Sequence, residues 1–346
     1  KEYGDSGVVV LAVGQKPGEV FLLRADMDAL PLQEETGLPF ASKNEGCMHA
    51  CGHDTHAAML LGAAKLLKLH EEEIEGTVKL LFQPGEEILE GAKGMIDAGV
   101  LEDPHVDAAM MIHAISGVPT PEGMMGVFRA GAAYASADWF QIRIQGVGGH
   151  GAVPESTRNP LGAMCTIYEG IHEIMAEHRA PSDNCVMTIG EMYGGDTGNI
   201  IPDSAYMRGT IRTFSEEVRA NLKEDLVNMV EHIGKAKRVT ATVEFQNACP
   251  IVQVDASVHE SLMQSMKELF GEEKVFLVEE PASCSEDFSY IAAEVPAAIG
   301  WYFIGDSRNG YTYGGHHPKV NFDDTYLYLG AAAYAKAGID WLKRNR

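Results

Sequence analysis

Thr77-Val78-Lys79-Leu80-Leu81-Phe82 predicts a buried β-strand, and Gln83-Pro84-Gly85-Glu86-Glu87 follows it without a break. Two carboxylates therefore stand just beyond the end of a strand. In α/β proteins, reactive side chains collect at the carboxyl ends of strands. Adjacent acids in a loop are more often a solvated pair, so this segment assigns no function until other residues support it.

Strands and helices alternate on both sides of this segment. Strands are predicted at 8–13, 20–23, 78–82 and 108–112, with helices at 56–69 and 92–98. This order is typical of a helix-flanked, mostly parallel sheet. We therefore predict an α/β fold whose first domain begins at residue 1 and extends to about residue 130.

The pattern changes after about residue 131. Strands at 138–146, 186–193, 205–213 and 241–246 are interleaved with helices at 160–178 and 215–233. The resulting βαββαβ order predicts a ferredoxin-like α+β domain with a four-stranded antiparallel sheet. We predict that this domain, residues 131–249, is inserted into the first, and that a helix at 257–270 and a terminal helix from 324 complete the first domain within residues 250–346.

Length and charge restrict the possible functions. The chain has 346 residues, 45% of them hydrophobic, which is enough apolar surface for two cores. Its net charge of −23 repels phosphate backbones and anionic membranes. No apolar run approaches the roughly 18 residues of a membrane helix. We expect neither nucleic acid nor a membrane as a partner.

Six scattered cysteines form no tight repeating pattern. A disulfide framework is implausible in a chain of this size, so a reducing, cytoplasmic compartment is expected. Cys47 and Cys51 could belong to a structural zinc knuckle, but no second closely spaced pair follows them.

The segment Met48-His49-Ala50-Cys51-Gly52-His53-Asp54-Thr55-His56 is unusually rich in metal ligands. Cys51 and His53 are two residues apart and can turn toward one cation, and thiolate and imidazole are typical zinc ligands. A simpler interpretation leaves Cys51 as a small buried residue and His53 as a hydrogen-bonded loop residue. Further histidines, His113 after the apolar run 106–112 and His316-His317 before Pro318, favour a metal site.

The chain resembles the M20 family of metallopeptidases, in particular the amidohydrolase subfamily of hippurate hydrolases, N-acyl-amino-acid deacylases and auxin-conjugate hydrolases. Motifs across nearly the whole chain carry the resemblance: Arg24-Ala25-Asp26-Met27-Asp28-Ala29-Leu30-Pro31, His49-Ala50-Cys51-Gly52-His53-Asp54, Pro84-Gly85-Glu86-Glu87, Gly149-His150, Gly194-Gly195, Asn199-Ile200-Ile201-Pro202-Asp203, Gly209-Thr210-Ile211-Arg212, Ser285-Glu286-Asp287-Phe288 and His316-His317-Pro318. By this resemblance the first domain is a catalytic, metal-binding domain and the second a lid and dimerisation domain.

The resemblance implies five metal ligands: Cys51, His53, Glu87, His113 and His316. His316 is preferred to His317 because the family's ligand stands two residues before the proline. Five ligands exceed the three that a single catalytic zinc takes, so two divalent ions are expected. Zinc or manganese fits the ligands, cobalt or nickel is possible, and the thiolate of Cys51 could bridge the two ions.

The reaction implied is hydrolysis of the amide bond of an N-acyl amino acid. Glu86 takes a proton from metal-bound water, hydroxide attacks the carbonyl, and Glu86 returns the proton to the leaving amine. A dipeptidase or carboxypeptidase would use the same site. Two further alternatives are a non-catalytic amide-binding or metal-storage protein and an amidase that uses Cys51 as its nucleophile.

Three residues of the inserted domain are implied to contact the substrate. By sequence alone His150 is a turn histidine, but the family's matching histidine reaches the substrate carbonyl, usually from a neighbouring subunit. Asn199 and Arg212 match residues that hold the substrate's free carboxylate, a role suited to the planar guanidinium. The resemblance also predicts a homodimer through this domain.

Three further acidic residues, Asp26, Asp28 and Glu155, stand at positions that correspond to residues of the family. Asp28 matches an acid that orients a metal ligand through a hydrogen bond. Asp26 stands where most of the wider family has a histidine, which is the mark of the amidohydrolase type. Glu155 stands where many relatives have histidine, and no role is assigned to it.

Overall fold

A computed structural model describes residues 2–3 and 6–345. They form two compact units. One unit contains the chain up to Ala133 together with Val252–Ala282 and the residues from Glu286 onward, and the other contains Tyr134–Ile251 and Ser283–Ser285. Positions 1 and 346, the predicted ends of the first domain, lie outside the described residues.

The described strands are β1 (Glu2–Tyr3), β2 (Gly7–Val13), β3 (Lys16–Asp26), β4 (Glu75–Gln83), β5 (Ala108–Ile115), β6 (Met124–Phe128), β7 (Gly131–Tyr134), β8 (Ala137–Gln145), β9 (Gly149–His150), β10 (Cys185–Tyr193), β11 (Ile200–Ile201), β12 (Ser204–Thr213), β13 (Thr240–Cys249), β14 (Val252–Val254), β15 (Val275–Val278) and β16 (Ala297–Phe303). The described α-helices are α1 (His53–Leu69), α2 (Gly91–Asp97), α3 (Pro160–Glu177), α4 (Glu216–Lys237), α5 (Ala256–Phe270), α6 (Ser289–Glu294) and α7 (Leu327–Arg344).

The first unit is built on a sheet with the strand order β1-β2-β4-β3-β5-β16-β6-β15. Its central strands β4, β3, β5 and β16 are parallel neighbours, while β2 pairs antiparallel with β4 and β6 pairs antiparallel with β16. Residues 20–26 of β3 are buried without alternation, as expected for a parallel strand covered on both faces. Helices α1, α5 and α7 pack against this sheet. The predicted helix-flanked, mostly parallel sheet is confirmed.

Strands β6, β15 and β16 were absent from the sequence-based prediction. β6 and β16 each carry a glycine, and glycine weakens a strand pattern. A Cβ on Gly126 would lie 2.8 Å from a side-chain carbon of Val278, and one on Gly300 would lie 3.3 Å from the carbonyl oxygen of Gly126. These glycines are needed because neighbouring strands and side chains approach closely.

Helix α1 begins at His53, three residues earlier than predicted. Gly52 precedes it in the left-handed region with φ of 85°, which few other residues adopt without strain. Because the helix begins at His53, both His53 and His56 belong to it. They lie three residues apart on one helix face, where their side chains are neighbours.

The second unit has an antiparallel sheet with the order β10-β12-β8-β13, which confirms the ferredoxin-like fold. Its core follows the expected periodicities: alternate residues of β8 face Leu222, Leu226 and Val230, spaced by one turn on α4. A separate short pair, β9 with β11, carries His150. Among the described helices of both units, none has the length and apolar character needed to cross a membrane.

Candidate metal centre

Three neighbouring parallel strands deliver acidic and imidazole side chains to one edge of the sheet. Asp28 follows β3, Glu86 and Glu87 follow β4, and His113 lies near the end of β5. Because β4, β3 and β5 are adjacent and parallel, their carboxyl ends meet at the same edge. The segment before α1 supplies Cys51 to that edge, and the first residue of α1 supplies His53.

His53 is oriented by Asp28. Its Nδ1 lies 3.2 Å from both the backbone carbonyl oxygen and the carboxylate Oδ1 of Asp28, so Nδ1 carries the proton. The opposite nitrogen, Nε2, is buried and has no hydrogen-bond partner among the described residues. It faces Oε1 of Glu87 at 3.9 Å, a buried oxygen that also lacks a partner, and Oε2 of Glu86 at 4.0 Å.

His113 and Cys51 form a second contact in the cluster. The Nδ1–H of His113 donates to the carbonyl oxygen of Ala114 at 2.8 Å, which leaves Nε2 as a lone-pair donor. That nitrogen lies 3.6 Å from Sγ of Cys51. Both atoms are therefore turned toward the same small volume.

His316 reaches the cluster from the other end of the chain. Its backbone has a positive φ of 65°, and its N–H donates to the carbonyl oxygen of Ala50 at 2.8 Å. Its Nε2 lies 3.5 Å from Oε2 of Glu87. His317 instead stacks on Tyr313 at 4.1 Å between ring centroids. The structure thus brings His316 to Glu87.

The potential ligand atoms fall into two groups of three that share Cys51. Cys51, His53 and His113 form one group, and Cys51, Glu87 and His316 form the other, with the atoms of each group within 4.8 Å of one another. Unpartnered buried atoms on His53 and Glu87 are costly unless something binds them. The residues present therefore fit two divalent cations, with Cys51 belonging to both groups.

Electrostatics supports a cation here. Burial and the neighbouring charges of Glu87 and Glu86 raise the pKa of Cys51 well above its usual range, so the thiolate needs a cation beside it. Burial lowers the pKa of His113 to about 3, which keeps this ring neutral and able to bind metal. A raised thiol pKa also argues against Cys51 as a nucleophile.

Glu86 lies deep in the site and is only 7% exposed. Burial, and then the neighbouring carboxyl groups of Glu286, Asp287 and Asp26, raise its pKa well above the usual range. A carboxyl group with a raised pKa is suited both to accept a proton and to return it.

A buried ionic network beneath the site was not predicted from the sequence. The guanidinium of Arg24, fully buried, donates to Asp26 and Asp287 at 2.8 Å and contacts Glu286 at 3.0 Å. Gln83 joins it by donating to Asp287. An arginine and an aspartate directly after the apolar run 20–23 were the available signal, because charges are buried only when they are paired.

His150 and Asn199 lie close together in the second unit. β9 pairs with β11, and the N–H of Gly151 donates to the carbonyl oxygen of Asn199 at 2.9 Å. The Nδ1 of His150 accepts from the N–H of Ala152 at 3.1 Å, so Nε2 carries the proton and is an exposed donor. Oδ1 of Asn199 accepts from the hydroxyl of Thr197, so its amide N–H groups are available to a ligand.

Arg212 is not near that pair within one chain. β11 ends shortly before β12 begins at Ser204, whereas Arg212 is eight residues further along β12. Along an extended strand this corresponds to about 26 Å. Arg212 is half-buried and Glu155 is exposed.

A mostly parallel α/β sheet with two groups of metal-ligand atoms and a buried acid at its carboxyl edge defines a metal-dependent hydrolase. The chain belongs to Peptidase family M20/M25/M40, whose sequence profile matches residues 22–338. This confirms the resemblance predicted from the motifs.

Similar proteins extend over most of the chain. It is 35% identical to the N-acetylcysteine deacetylase of Bacillus subtilis (strain 168), covering 96% of this chain and 84% of that protein. It is 39% identical to thermostable carboxypeptidase 1 of Saccharolobus solfataricus, covering 94% and 81%. Among solved structures, the YXEP protein of Bacillus subtilis, a dinuclear metal binding peptidase of the M20 family, superposes with a TM-score of 0.81 at 32% identity, covering 98% and 85%.

Proposed function

We propose that this chain hydrolyses the amide bond of N-acyl amino acids with two divalent metal ions. The observation that carries the proposal is the pair of ligand groups sharing Cys51, with the buried Glu86 beside them. Relatives named as a deacetylase of N-acetylcysteine and as a dinuclear metal binding peptidase support both the substrate class and the number of ions.

The five predicted ligands divide between two ions. His53 and His113 would hold one, Glu87 and His316 the other, and Cys51 would bridge them. When bound, such a pair acts as a Lewis acid on the substrate carbonyl and makes a water molecule acidic enough to lose a proton near neutral pH. Asp28 keeps Nε2 of His53 available as a ligand by accepting a hydrogen bond from the Nδ1–H.

Glu86 moves the proton. It takes one from the attacking water and gives it to the nitrogen of the leaving amino acid. Its raised pKa suits this double role, because the group must be a base in one step and an acid in the next. Glu87 is adjacent in sequence but points differently, with Oε2 toward His316.

The inserted domain supplies the contacts to the substrate. The exposed Nε2–H of His150 is a donor for the carbonyl oxygen as it gains negative charge. Asn199 and Arg212 bind the substrate's carboxylate, which distinguishes an N-acyl amino acid from a simple amide. Since one chain does not bring Arg212 near His150 and Asn199, we infer a homodimer in which the partner's lid domain completes the site.

Zinc or manganese are the proposed ions. A thiolate and imidazoles favour zinc, and the carboxylate of Glu87 admits manganese, with cobalt or nickel as further possibilities. A cysteine ligand is lost if its sulfur is oxidised, so we also propose a reducing, cytoplasmic compartment.

A carboxypeptidase or dipeptidase is the second candidate. The 39% identity to a protein named as a thermostable carboxypeptidase favours it, and the same ligands and acid would serve. The two activities differ in what lies on the acyl side of the scissile bond. A peptide with a free amino group places a positive charge there, whereas an acetyl or benzoyl group does not.

Release of free amino acid from a matched panel tests the proposal. N-acetyl, N-benzoyl and longer N-acyl amino acids are compared with dipeptides and blocked peptides, using protein stripped by a chelator and reloaded with zinc or manganese. We expect metal-restored cleavage of the acyl amino acids. Faster cleavage of peptides establishes the second candidate, and cleavage that survives complete metal removal contradicts both.

A further inference from the structure

The strands β3 and β5 separate just where the metal ligands begin. Their parallel pairing runs from Phe21 with Ala108 to Arg24 with Met111 and then stops. The backbone N–H groups of Ile112 and Ala114, which are two residues apart on β5, point to the same side of that strand. Both groups are buried and would be unpaired without another partner.

Two side chains fill the gap left by β3. The hydroxyl of Tyr334, from α7, accepts from the N–H of Ile112 at 3.0 Å and donates to the carbonyl oxygen of Arg24 at 2.8 Å. The Nε2 of His56, from α1, accepts from the N–H of Ala114 at 2.7 Å. Tyr334 and His56 thus continue the hydrogen bonding of β5 after β3 has diverged.

The tautomer of His56 is fixed by these contacts. Because Nε2 accepts a hydrogen bond, the ring is neutral and its proton is on Nδ1, which donates to Oδ1 of Asp26 at 2.5 Å. The second oxygen of Asp26 accepts from Arg24. Asp26, His53 and His56 have ligand atoms close together, but the atoms of Asp26 and His56 are already engaged. Asp26 and His56 are therefore better suited to support than to ligation.

His56 is linked to a proposed ligand through one peptide group. The N–H that it holds belongs to the peptide bond following His113, and the carbonyl of Ala114 accepts from the Nδ1–H of His113 at 2.8 Å. The rings of His56 and His113 are also in edge contact, with centroids 4.6 Å apart. Asp26, at the other end of His56, lies 3.6 Å from Nε2 of His53.

We propose that His56, held by Asp26, is a positioning residue that fixes the spacing of His53 and His113 and thereby sets the affinity of the centre for metal. This inference rests on the proposed two-metal function. Asp26 therefore holds His56, and His56 in turn supports the proposed ligand His113 on the neighbouring strand β5.

Four proteins test the inference: wild type, His56→Phe, His56→Gln and Tyr334→Phe. His56→Phe keeps a ring but loses both hydrogen bonds, and His56→Gln keeps an amide that can donate to Asp26 and accept from Ala114. Tyr334→Phe is the matched control because Tyr334 also bridges β3 and β5 but bonds the backbone of Ile112, whereas His56 bonds that of Ala114. Each metal-free protein is titrated with zinc in competition with a chromophoric chelator. Unfolding in urea and the cobalt-thiolate absorption of the cobalt-loaded protein are recorded in parallel.

For His56→Phe we expect a loss of zinc affinity of about 10- to 100-fold and a changed cobalt spectrum. His56→Gln should recover part of the affinity. Tyr334→Phe should unfold at lower urea concentration while its zinc affinity stays within about twofold of wild type. Wild-type affinity in His56→Phe, or an equal loss in Tyr334→Phe, overturns the inference. If His56→Phe does not fold, His56→Gln and Tyr334→Phe decide. Wild-type zinc affinity in His56→Gln, combined with a loss of zinc affinity in Tyr334→Phe, then overturns the inference. Wild-type protein that takes up no ion overturns the proposed function itself, and the inference with it.

Discussion

The carboxylate of Asp28 faces Nδ1 of His53 at 3.2 Å, and its second oxygen accepts the backbone N–H of Glu87 at 3.0 Å. One side chain therefore orients two of the proposed ligands, which come from different segments. We predict that Asp28→Ala lowers the affinity for zinc about 10- to 100-fold, because both ligands lose their support. Chelator competition measures this.

Asp28→Asn separates charge from hydrogen bonding. The amide oxygen can still accept one hydrogen bond, so this variant should lie between wild type and Asp28→Ala. Asp97→Asn, on an exposed residue of α2, is the control and should bind zinc as wild type does. Equal affinity in Asp28→Ala and wild type means that the hydrogen bond does not orient the ligand.

Glu86→Gln should remove the proton carrier and spare the metal ligands. We expect turnover of an N-acyl amino acid to fall by about 10²- to 10⁴-fold while metal content stays at the wild-type level. Stopped assays for kcat and elemental analysis of the same sample check both parts. Glu90→Gln, an exposed acid in the same loop, should leave kcat unchanged. Retention of most activity in Glu86→Gln assigns the base to another group.

The loop that carries Glu86 and Glu87 depends on a close backbone contact. A Cβ on Gly91 would lie 1.7 Å from the carbonyl oxygen of Pro84, whereas Gly94 on the same helix has no atom within 4 Å of that position. We predict that Gly91→Ala displaces the loop, costs about 1–3 kcal/mol of unfolding free energy and weakens zinc binding. Gly94→Ala should equal or exceed wild-type stability, since alanine is the better helix residue. Equal urea midpoints for wild type and Gly91→Ala contradict the prediction.

Glu286 gives a prediction about pH. Burial raises the pKa of this carboxyl to about 8 even though Arg24 favours its charge, because Asp26 and Asp287 already neutralise the guanidinium. Between the ordinary 4.5 and about 8, the folded state holds a proton that the unfolded state has lost. Raising the pH through that window therefore destabilises the fold.

Glu286→Gln removes this dependence. In metal-free protein, the stability of the variant relative to wild type should rise from pH 5 to about 8 and then level off. Urea unfolding at a series of pH values measures the difference, and Glu280→Gln, on an exposed acid, should show no such trend. A difference that does not change with pH means that Glu286 is ionised in the folded state throughout.

Much of the fold was predictable because its signals are local. Residues 20–23 of β3 are a continuous apolar run, and the periodicities of β8 and α4 in the second unit predict the ferredoxin-like order. Strands β6, β15 and β16 were missed because two contain glycine and one has four residues. Their identity as strands depends on neighbours distant in sequence, which no local pattern reports.

The residues of the site also include some that local sequence patterns indicate and others that they do not. Cys51 and His53 were candidates by their spacing, and Glu86 and Glu87 by their place after a strand, whereas their roles as ligands and base were implied by the family resemblance. The network around Asp26 was not predicted, because His56 meets Asp26 only after β3 and α1 have packed. Arg24, which donates to Asp26, likewise meets Asp287 only after a distant loop has packed. Nor does any sequence pattern indicate that His56 takes over a backbone N–H when two strands part.

The inferred dimer can be tested by mixing two inactive variants, because mixed dimers should regain activity. The exposed Nε2–H of His150 and the distant Arg212 suggest that a lid domain serves the partner's site. We predict that His150→Ala and Glu86→Gln are each nearly inactive alone. In a mixed dimer, the site that keeps Glu86 receives His150 from the Glu86→Gln subunit and is complete. Random exchange produces mixed dimers as half of the total, and each mixed dimer has one complete site of two. About a quarter of wild-type activity should therefore return.

Light scattering establishes the dimer, and Glu90→Gln mixed with wild type controls for exchange. If mixing restores nothing although mass spectrometry detects the mixed dimer, His150 acts within its own subunit.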